Sequence, residues 1–231
     1  MKRFTNLILI FVFTLTVAKA QPGSIDLTFQ TDFDFRRDEI IDAVDIQSDG
    51  KILIGGMFRF SLLNEQLIEN ILRLNQKGDL DTNFKIINHY DYRVSDIIIQ
   101  PNGKVLVSGK NINYSFNKFN KISRLNTNIS WDTDFYPKIA PEIINTIKYQ
   151  KDNKIIISFI ESNGTYKLLR INNDGTIDKS FGEGVFDNWI YTISVQTNGK
   201  ILISGSFTTF DGEKCPSFIR LNSDGSLDKT F

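Results

Sequence analysis

The chain has 231 residues, with 27 basic and 27 acidic side chains, one cysteine and one histidine. This length suffices for one large domain or two small ones with a packed core. The balanced charge, with no basic stripe interleaved with aromatics, excludes a nucleic-acid surface; the lone Cys215 excludes an internal disulfide, and the lone His89 a multi-histidine metal site.

Residues 1–20, MKRFTNLILIFVFTLTVAKA, begin with Lys2 and Arg3, continue in an apolar run from Leu7 to Val17 and end in Ala18-Lys19-Ala20. That is the pattern of a secretory signal peptide, with cleavage leaving Gln21 first. The apolar run is shorter than the roughly 20 residues that cross a bilayer, and no second apolar span follows. The sequence therefore predicts an exported chain of residues 21–231 without a membrane span, in the periplasm, at the cell surface or outside the cell. Removing Lys2, Arg3 and Lys19 leaves 24 basic against 27 acidic residues, a net charge of −3.

The rest of the chain repeats itself. A Gln-x-x-x-Lys element occurs at Gln47/Lys51, Gln100/Lys104, Gln150/Lys154 and Gln196/Lys200. An Arg-Leu-Asn or Arg-Ile-Asn element follows at Arg73, Arg124, Arg170 and Arg220, and an Asp-x-x-Phe element closes each unit at Asp81/Phe84, Asp132/Phe135, Asp178/Phe181 and Asp228/Phe231. Successive arginines are 51, 46 and 50 residues apart, the spacing of propeller blades rather than helical repeats. The units run roughly over 30–84, 85–135, 136–181 and 182–231. Gly23-Ser-Ile-Asp-Leu-Thr-Phe29 is a surplus copy of the closing element ahead of the first.

Each unit reads as four short strands. The first alternates, with apolar pairs Val44/Ile46, Ile97/Ile99, Ile147/Tyr149 and Ile193/Val195. The second is apolar on both faces and needs cover on both, which neighbouring blades supply; Leu53, Leu106, Ile156 and Leu202 should occupy equivalent places in it. The third starts at Ile71 and its copies, and the fourth is short and ends in the recurring Phe. No apolar stripe at helical spacing survives beyond the signal peptide.

The turns fix the register. Between strands one and two stand Ser48-Asp49-Gly50, Pro101-Asn102-Gly103, Lys151-Asp152-Asn153 and Thr197-Asn198-Gly199. Pro101 suits the first central position of a type I turn, so a three-residue loop ending in a left-handed Gly or Asn is expected, with Gln196 opposite Lys200. The same register at Ser223-Asp224-Gly225 sets Arg220 opposite Asp228 on one face, whereas a one-residue slip would separate them. The separation is eight residues in every unit. A structural cross-strand pair is thus expected at Arg73–Asp81, Arg124–Asp132, Arg170–Asp178 and Arg220–Asp228.

Variable segments carry the diversity: 57–69, 110–120, 160–167 and 206–217 within units, and 30–39, 85–93, 136–142 and 182–189 between them. Tyr90, Tyr92, Tyr114, Tyr136 and Trp189 gather there and are the candidate recognition aromatics. Residues repeated once per blade point to packing, whereas catalysis needs one asymmetric site, so no catalytic residue is assigned. The run Asn222-x-Asp-Gly-x-x-Asp228 superficially suggests a calcium loop. Its copy from Asn75 puts Lys77 where a ligand is needed, and calcium takes six to eight oxygens; turn chemistry accounts for these residues, and no metal or cofactor is assigned. His89 lies in a connection without a nucleophile motif, and Gly55-Gly56 opens no helix.

The stretches Gly-Ser-Leu-Asp-Lys-Thr-Phe, Asn-Gly-Lys-Ile-Leu-Ile-Ser-Gly-Ser-Phe and Arg-Leu-Asn-Ser-Asp-Gly resemble the delta-60 repeat family of secreted bacterial β-propellers over residues 23–231. The resemblance is strong in the first and last units. It is weaker in the third, where Asn153 replaces the turn glycine and Phe159 stands where Gly55, Gly109 and Gly205 are glycine. It implies a propeller in an exported protein and brings no catalytic residues. The expected fold is an all-β, propeller-type array of four antiparallel four-stranded blades, either closed, an open arc or part of a larger propeller. The surplus strand fits a fragment of a longer array, or four blades that form an open arc or pair with a second copy, and favours the fragment or the arc over a closed ring. The expected role is a non-enzymatic interaction or surface scaffold for a protein or glycan. The competing readings are a carbohydrate-active enzyme with a central site, or an accessory module of an adhesin-like protein.

Overall fold

The computed structural model describes residues 26, 28–29, 31, 39–61, 67–84, 92–111, 122–139, 141 and 143–231. The signal-peptide reading of 1–20, most of the surplus element, His89, Tyr90 and Tyr114 lie outside them, and Tyr92 is described in its backbone only. Among the described residues all regular structure is strand: β1 (Ile40–Ile46), β2 (Ile52–Ser61), β3 (Leu67–Leu74), β4 (Tyr92–Ile99), β5 (Val105–Asn111), β6 (Ile122–Leu125), β7 (Ile143–Tyr149), β8 (Ile155–Ile160), β9 (Tyr166–Ile171), β10 (Gly184–Phe186), β11 (Ile190–Val195), β12 (Ile201–Gly205), β13 (Thr209–Phe210), β14 (Glu213–Lys214) and β15 (Phe218–Leu221).

Four antiparallel meanders form the blades: β1-β2-β3, β4-β5-β6, β7-β8-β9 and β11-β12-β15. The closing Asp-x-x-Phe element pairs through one bridge rather than a ladder, Leu80 on Leu74 in the first blade and Leu227 on Leu221 in the last. Two segments read as variable loops have structure of their own. Strand β10 joins the edge of the third blade, and the β13–β14 hairpin extends it to six strands in the order β14-β13-β10-β9-β8-β7. Phenylalanines explain the attachment: Phe186 packs its ring against Phe207 at 4.8 Å and Phe210 at 5.0 Å, all three buried.

The turns have the three-residue form. Gln47, Gln100, Gln150 and Gln196 each donate their amide to the carbonyl of the following Lys, at 2.8 Å in every blade, and positive φ falls on Gly50, Gly103, Asn153 and Gly199. Asp26–Phe29 repeats the local turn of the closing element, with Phe29 N donating to Asp26 O and Thr28 Oγ1 to Asp26 Oδ1.

Each blade covers the middle strand of the one before it. Leu53 packs with Val94, Ile97, Val105 and Val107 of the second blade. Leu106 and Phe135 pack with Ile144, Ile147, Ile155 and Ile157, and Ile156, Leu168 and Phe181 with Ile193, Ile201 and Ile203. Leu53, Leu106 and Ile156 are fully buried, whereas Leu202 is only half-buried, because no described blade covers the fourth.

One feature of the inner strands escapes the alternation read from sequence. The register breaks at Ile41/Ala43, Val94/Asp96, Ile144/Thr146 and Ile190/Thr192, so a β-bulge leaves Asp42, Ser95, Asn145 and Tyr191 as the extra residue of each blade. The bulged strand presses a carbonyl onto its neighbour. A Cβ added at Gly56, Gly109 or Gly205 would lie 2.0, 2.3 or 2.0 Å from the carbonyl oxygen of Ile40, Arg93 or Trp189. The pairing corrects the sequence alignment: the counterpart of Phe159 in the first blade is Gly56, not Gly55. In the third blade Phe159 is buried instead, among Phe135, Ile144 and Leu169.

Candidate functional site

The first strands of the four blades, β1, β4, β7 and β11, are the inner strands, and residues of all four line two shared cavities. At their starting ends, a cavity of about 340 Å³ is lined by Asp42, Arg93, Ser95, Asn145, Trp189 and Tyr191, together with apolar residues of β7 and β11. All four bulge residues are in this set. A bulge residue makes no regular ladder pairing and is re-aimed relative to its strand, so the fold delivers one variable side chain per blade to the same mouth.

Those side chains differ in chemistry and are held in place. Arg93 Nε and Nη2 donate to Asp42 Oδ2 and Oδ1 at 2.6 and 2.7 Å, a bidentate pair that clasps the first two inner strands. The hydrogen bond to Asp42 raises the Arg93 pKa. The Trp189 ring meets Tyr166 edge-on at 5.5 Å. Tyr191 is 66% exposed. Asn145 Nδ2 reaches the Ile190 carbonyl at 3.5 Å.

A second cavity of about 500 Å³ lies further along the inner strands, lined by Val44, Asp45, Asp96, Thr146, Lys148 and Thr192 among others. Two carboxylates here break the repeat: Asp45 stands where the other blades have Ile98, Lys148 and Ser194, and Asp96 where they have Ala43, Thr146 and Thr192. Asp45 Oδ2 accepts from the Ile99 amide at 2.7 Å. Asp96 Oδ2 accepts from the Ile147 amide at 3.0 Å and from Thr146 Oγ1 at 3.1 Å. The inner strands are edge strands with an unpaired row of backbone groups, and these carboxylates cap part of it on the next blade. Burial raises the Asp96 pKa, while the Ile147 and Thr146 hydrogen bonds oppose it.

The repeated residues form a different cluster. Arg73, Arg124, Arg170 and Arg220 donate through Nε to Oδ2 of Asp81, Asp132, Asp178 and Asp228 at 3.0, 2.6, 2.6 and 2.6 Å. Lys51, Lys104, Lys154 and Lys200 reach the same oxygen. Each guanidinium lies over the recurring Phe ring, 4.5–4.8 Å from its centroid. Desolvation pushes Asp132 and Asp178 up, but hydrogen bonds from Lys104 and Arg124 to the one, and from Lys154, Ser180 and Arg170 to the other, outweigh it and hold both carboxyls below the usual range. Arg124 and Arg170 reach further, through Nη1 to the Asn173 and Ser223 carbonyls of the following blade at 2.7 and 2.8 Å.

Of the two candidate recognition aromatics whose side chains are described, the cavity brings in Trp189 and not Tyr136. Tyr136 is exposed beside the Asp174–Gly175 turn, to which its amide donates; by register this is the end of the sheet away from Trp189. The residues of the calcium-like run serve turns: Asp224 Oδ1 accepts from the Ser226 amide and hydroxyl, and Asn222 Nδ2 donates to Ser226 Oγ.

Residues 47–84, 150–181 and 196–231 match the model of a family described as "Domain of unknown function (DUF5122) beta-propeller". The chain is a β-propeller-type repeat array. The second blade lies outside the matched segments, although the weaker likeness was expected in the third; Ile129 replaces the glycine of its Asn126–Ser130 turn, yet it builds the same Arg124–Asp132–Lys104–Phe135 cluster. No curated protein matches the chain. Among solved structures the propeller is similar to a gluconolactonase from Xanthomonas campestris, at 11% identity and a TM-score of 0.47, covering 81% of this chain and 60% of that one. A protein of unknown function from Bacteroides caccae matches at 11% identity and a TM-score of 0.42, over 84% of this chain and 82% of that one. PorZ, a surface component of the type-IX secretion system of Porphyromonas gingivalis, matches at 11% identity and a TM-score of 0.42. The chain spans 60% of the length of the gluconolactonase and 26% of that of PorZ. Likenesses this distant carry no inference about activity. No described helix is long and apolar enough to cross a membrane.

Proposed function

We propose that this propeller is an exported, non-enzymatic recognition module that holds a glycan in the cavity its four bulge residues share. The observation that carries the reading is the bulge ring: a frame repeated in every blade presents Asp42, Ser95, Asn145 and Tyr191 to one cavity. An exposed aromatic face beside oriented carboxylate, guanidinium and amide groups suits a sugar, whose C–H face stacks on a ring while its hydroxyls take hydrogen bonds. The two carboxylates that break the repeat, Asp45 and Asp96, already accept backbone amides of the neighbouring blade, which favours binding over acid–base work. The leader-like residues 1–20 support export.

A glycan-array screen with the chain lacking residues 1–20, followed by calorimetry on the best hit, tests the proposal. Binding is expected, with a marked loss in Tyr191→Ala and in Asn145→Ala at unchanged circular dichroism. Absence of any glycan hit, or affinity indifferent to both substitutions, overturns it.

A further inference from the structure

Beyond the two cavities described above lies a third, of about 310 Å³, lined by residues of the first two blades and sharing Asp45 with the second cavity. The first gives way to the second at consecutive residues: Ser95 and Asp96 on β4, Asn145 and Thr146 on β7, Tyr191 and Thr192 on β11. Along the second blade no residue is skipped. Ser95 lines the first cavity, Asp96 to Ile98 the second, and Ile99 to Pro101 the third. That stretch is about 20 Å long at a strand rise of about 3.3 Å per residue. Successive strand residues point to opposite faces, so a lining that omits none of them runs along the edge of the strand. It ends in exposed residues both ways, with Tyr191 in the first cavity and Ser48 and Pro101 in the third.

An open strand edge ordinarily invites a further strand. Here part of the edge is taken, because Asp45 holds the Ile99 amide and Asp96 the Ile147 amide. A polypeptide laid along the three cavities would find those donors occupied. Side-chain groups remain. Among the described residues, the side chains of Ser95, Lys148 and Thr192 make no hydrogen bond or ion pair with another residue, and they come from three different blades. The carboxylates are all engaged: Asp42 with Arg93, Asp45 with the Ile46 and Ile99 amides, and Asp96 with Thr146 and the Ile147 amide. Three carboxylates stand against two cations, Arg93 and Lys148, so the lining disfavours an anionic chain. Hydroxyl groups, which donate and accept, match the ammonium and hydroxyl groups left free.

We infer that the three cavities form one binding track for a linear, neutral oligosaccharide, a reading that rests on the glycan proposal above and extends it from one sugar to a chain of several. A unit in the first cavity stacks on the Tyr191 ring and meets Ser95. The next takes hydrogen bonds from Lys148 and Thr192 in the second cavity, and the chain leaves past Ser48 and Pro101 in the third. Contacts therefore accumulate with chain length until the track is full.

Chain length gives the test. Calorimetry on the chain lacking residues 1–20 uses cello-, malto-, xylo- and manno-oligosaccharides of one to six units, with oligogalacturonides as the acidic control and an alternating Thr-Val peptide as the strand-forming one. In at least one neutral series Kd should fall by about tenfold or more between one unit and four, then level off. Lys148→Ala and Thr192→Ala should each remove most of that gain; both side chains are exposed, so neither change removes core packing. Amide exchange at Ser48 and Asn102 should slow with the longest chain and not with the single unit. Equal affinity for one unit and six, or no binding by any neutral series, overturns the inference, while the array result decides the glycan reading independently. A gain that survives both substitutions overturns it as well, as does tighter binding of the acidic chains or of the peptide.

Discussion

The third and fourth blades carry the same register and nearly the same interface residues, and they differ in what lies against them. Ile156 and Phe181 of the third are sealed by the strands of the fourth; Leu202 and Phe231, their counterparts, meet solvent. Burial here is therefore set by the neighbour and not by the blade's own sequence. This is the logic of a repeat array, whose stability is a sum of unit terms and nearest-neighbour interfaces. The same cluster of arginine, aspartate, lysine and phenylalanine serves both blades, so substitutions at paired positions isolate the contribution of the neighbour.

The largest contrast is expected at the phenylalanines. Phe181→Ala should cost about 3–5 kcal/mol in urea unfolding, the range for truncating a buried aromatic. Phe231→Ala should stay within about 0.5 kcal/mol, as for exposed positions. Equal losses would show that the fourth blade is covered after all. Next comes the arginine. Arg170→Leu removes the Asp178 pair and the bond to Ser223 O, and should cost about 3 kcal/mol, as for breaking a buried ion pair. Arg220→Leu, at the open face, should cost clearly less by the same measurement.

A pH series sharpens the comparison between cluster and cavity. Asp81, Asp132 and Asp178 titrate below the ordinary carboxylate range in the folded chain. Their contribution to stability is therefore complete above the unfolded value, about pH 4, and is lost as pH falls through their lower folded values. Asp96 has the opposite sign: its folded pKa is raised by burial, so it binds its proton more tightly when folded and stability gains as pH falls toward that value. Urea unfolding between pH 7 and roughly pH 3 should show a steep loss at the acid end in the parent, and Asp96→Asn should flatten the slope above it. A parent curve that declines steadily from neutral pH contradicts this assignment. The smallest effect is expected at the third blade's turn, where Asn153 holds φ +64° in a place that is glycine in the other blades. Asn153→Gly should raise stability by about 0.5 kcal/mol in thermal unfolding, and a loss would mean that the side chain contributes more than its backbone strain costs.

What was legible in the sequence was local. Pro101 and the turn glycines fixed the loop type, and the loop type carried Arg220 to Asp228, because both relations span only a few residues. The bulges left a signal that alternation alone passes over: Ile41/Val44, Val94/Ile97, Ile144/Ile147 and Ile190/Ile193 are apolar pairs three apart, one more than a regular strand allows. Asp45 and Asp96 gave no such signal, since their partners are backbone amides of another blade and appear only when blades are stacked. The segments 182–189 and 206–217 were read as recognition loops by their variability, whereas Phe186, Phe207 and Phe210 commit part of them to closing the third blade's edge.

The central claim is that each blade is sealed by the one that follows, and amide hydrogen exchange on the dilute monomer tests it most directly. Strands β8 and β12 are both middle strands, hydrogen-bonded on either side. The account predicts that amides of Ile155–Ile160 exchange far more slowly than those of Ile201–Gly205. Equal protection of the two strands, or slower exchange in β12, would contradict it.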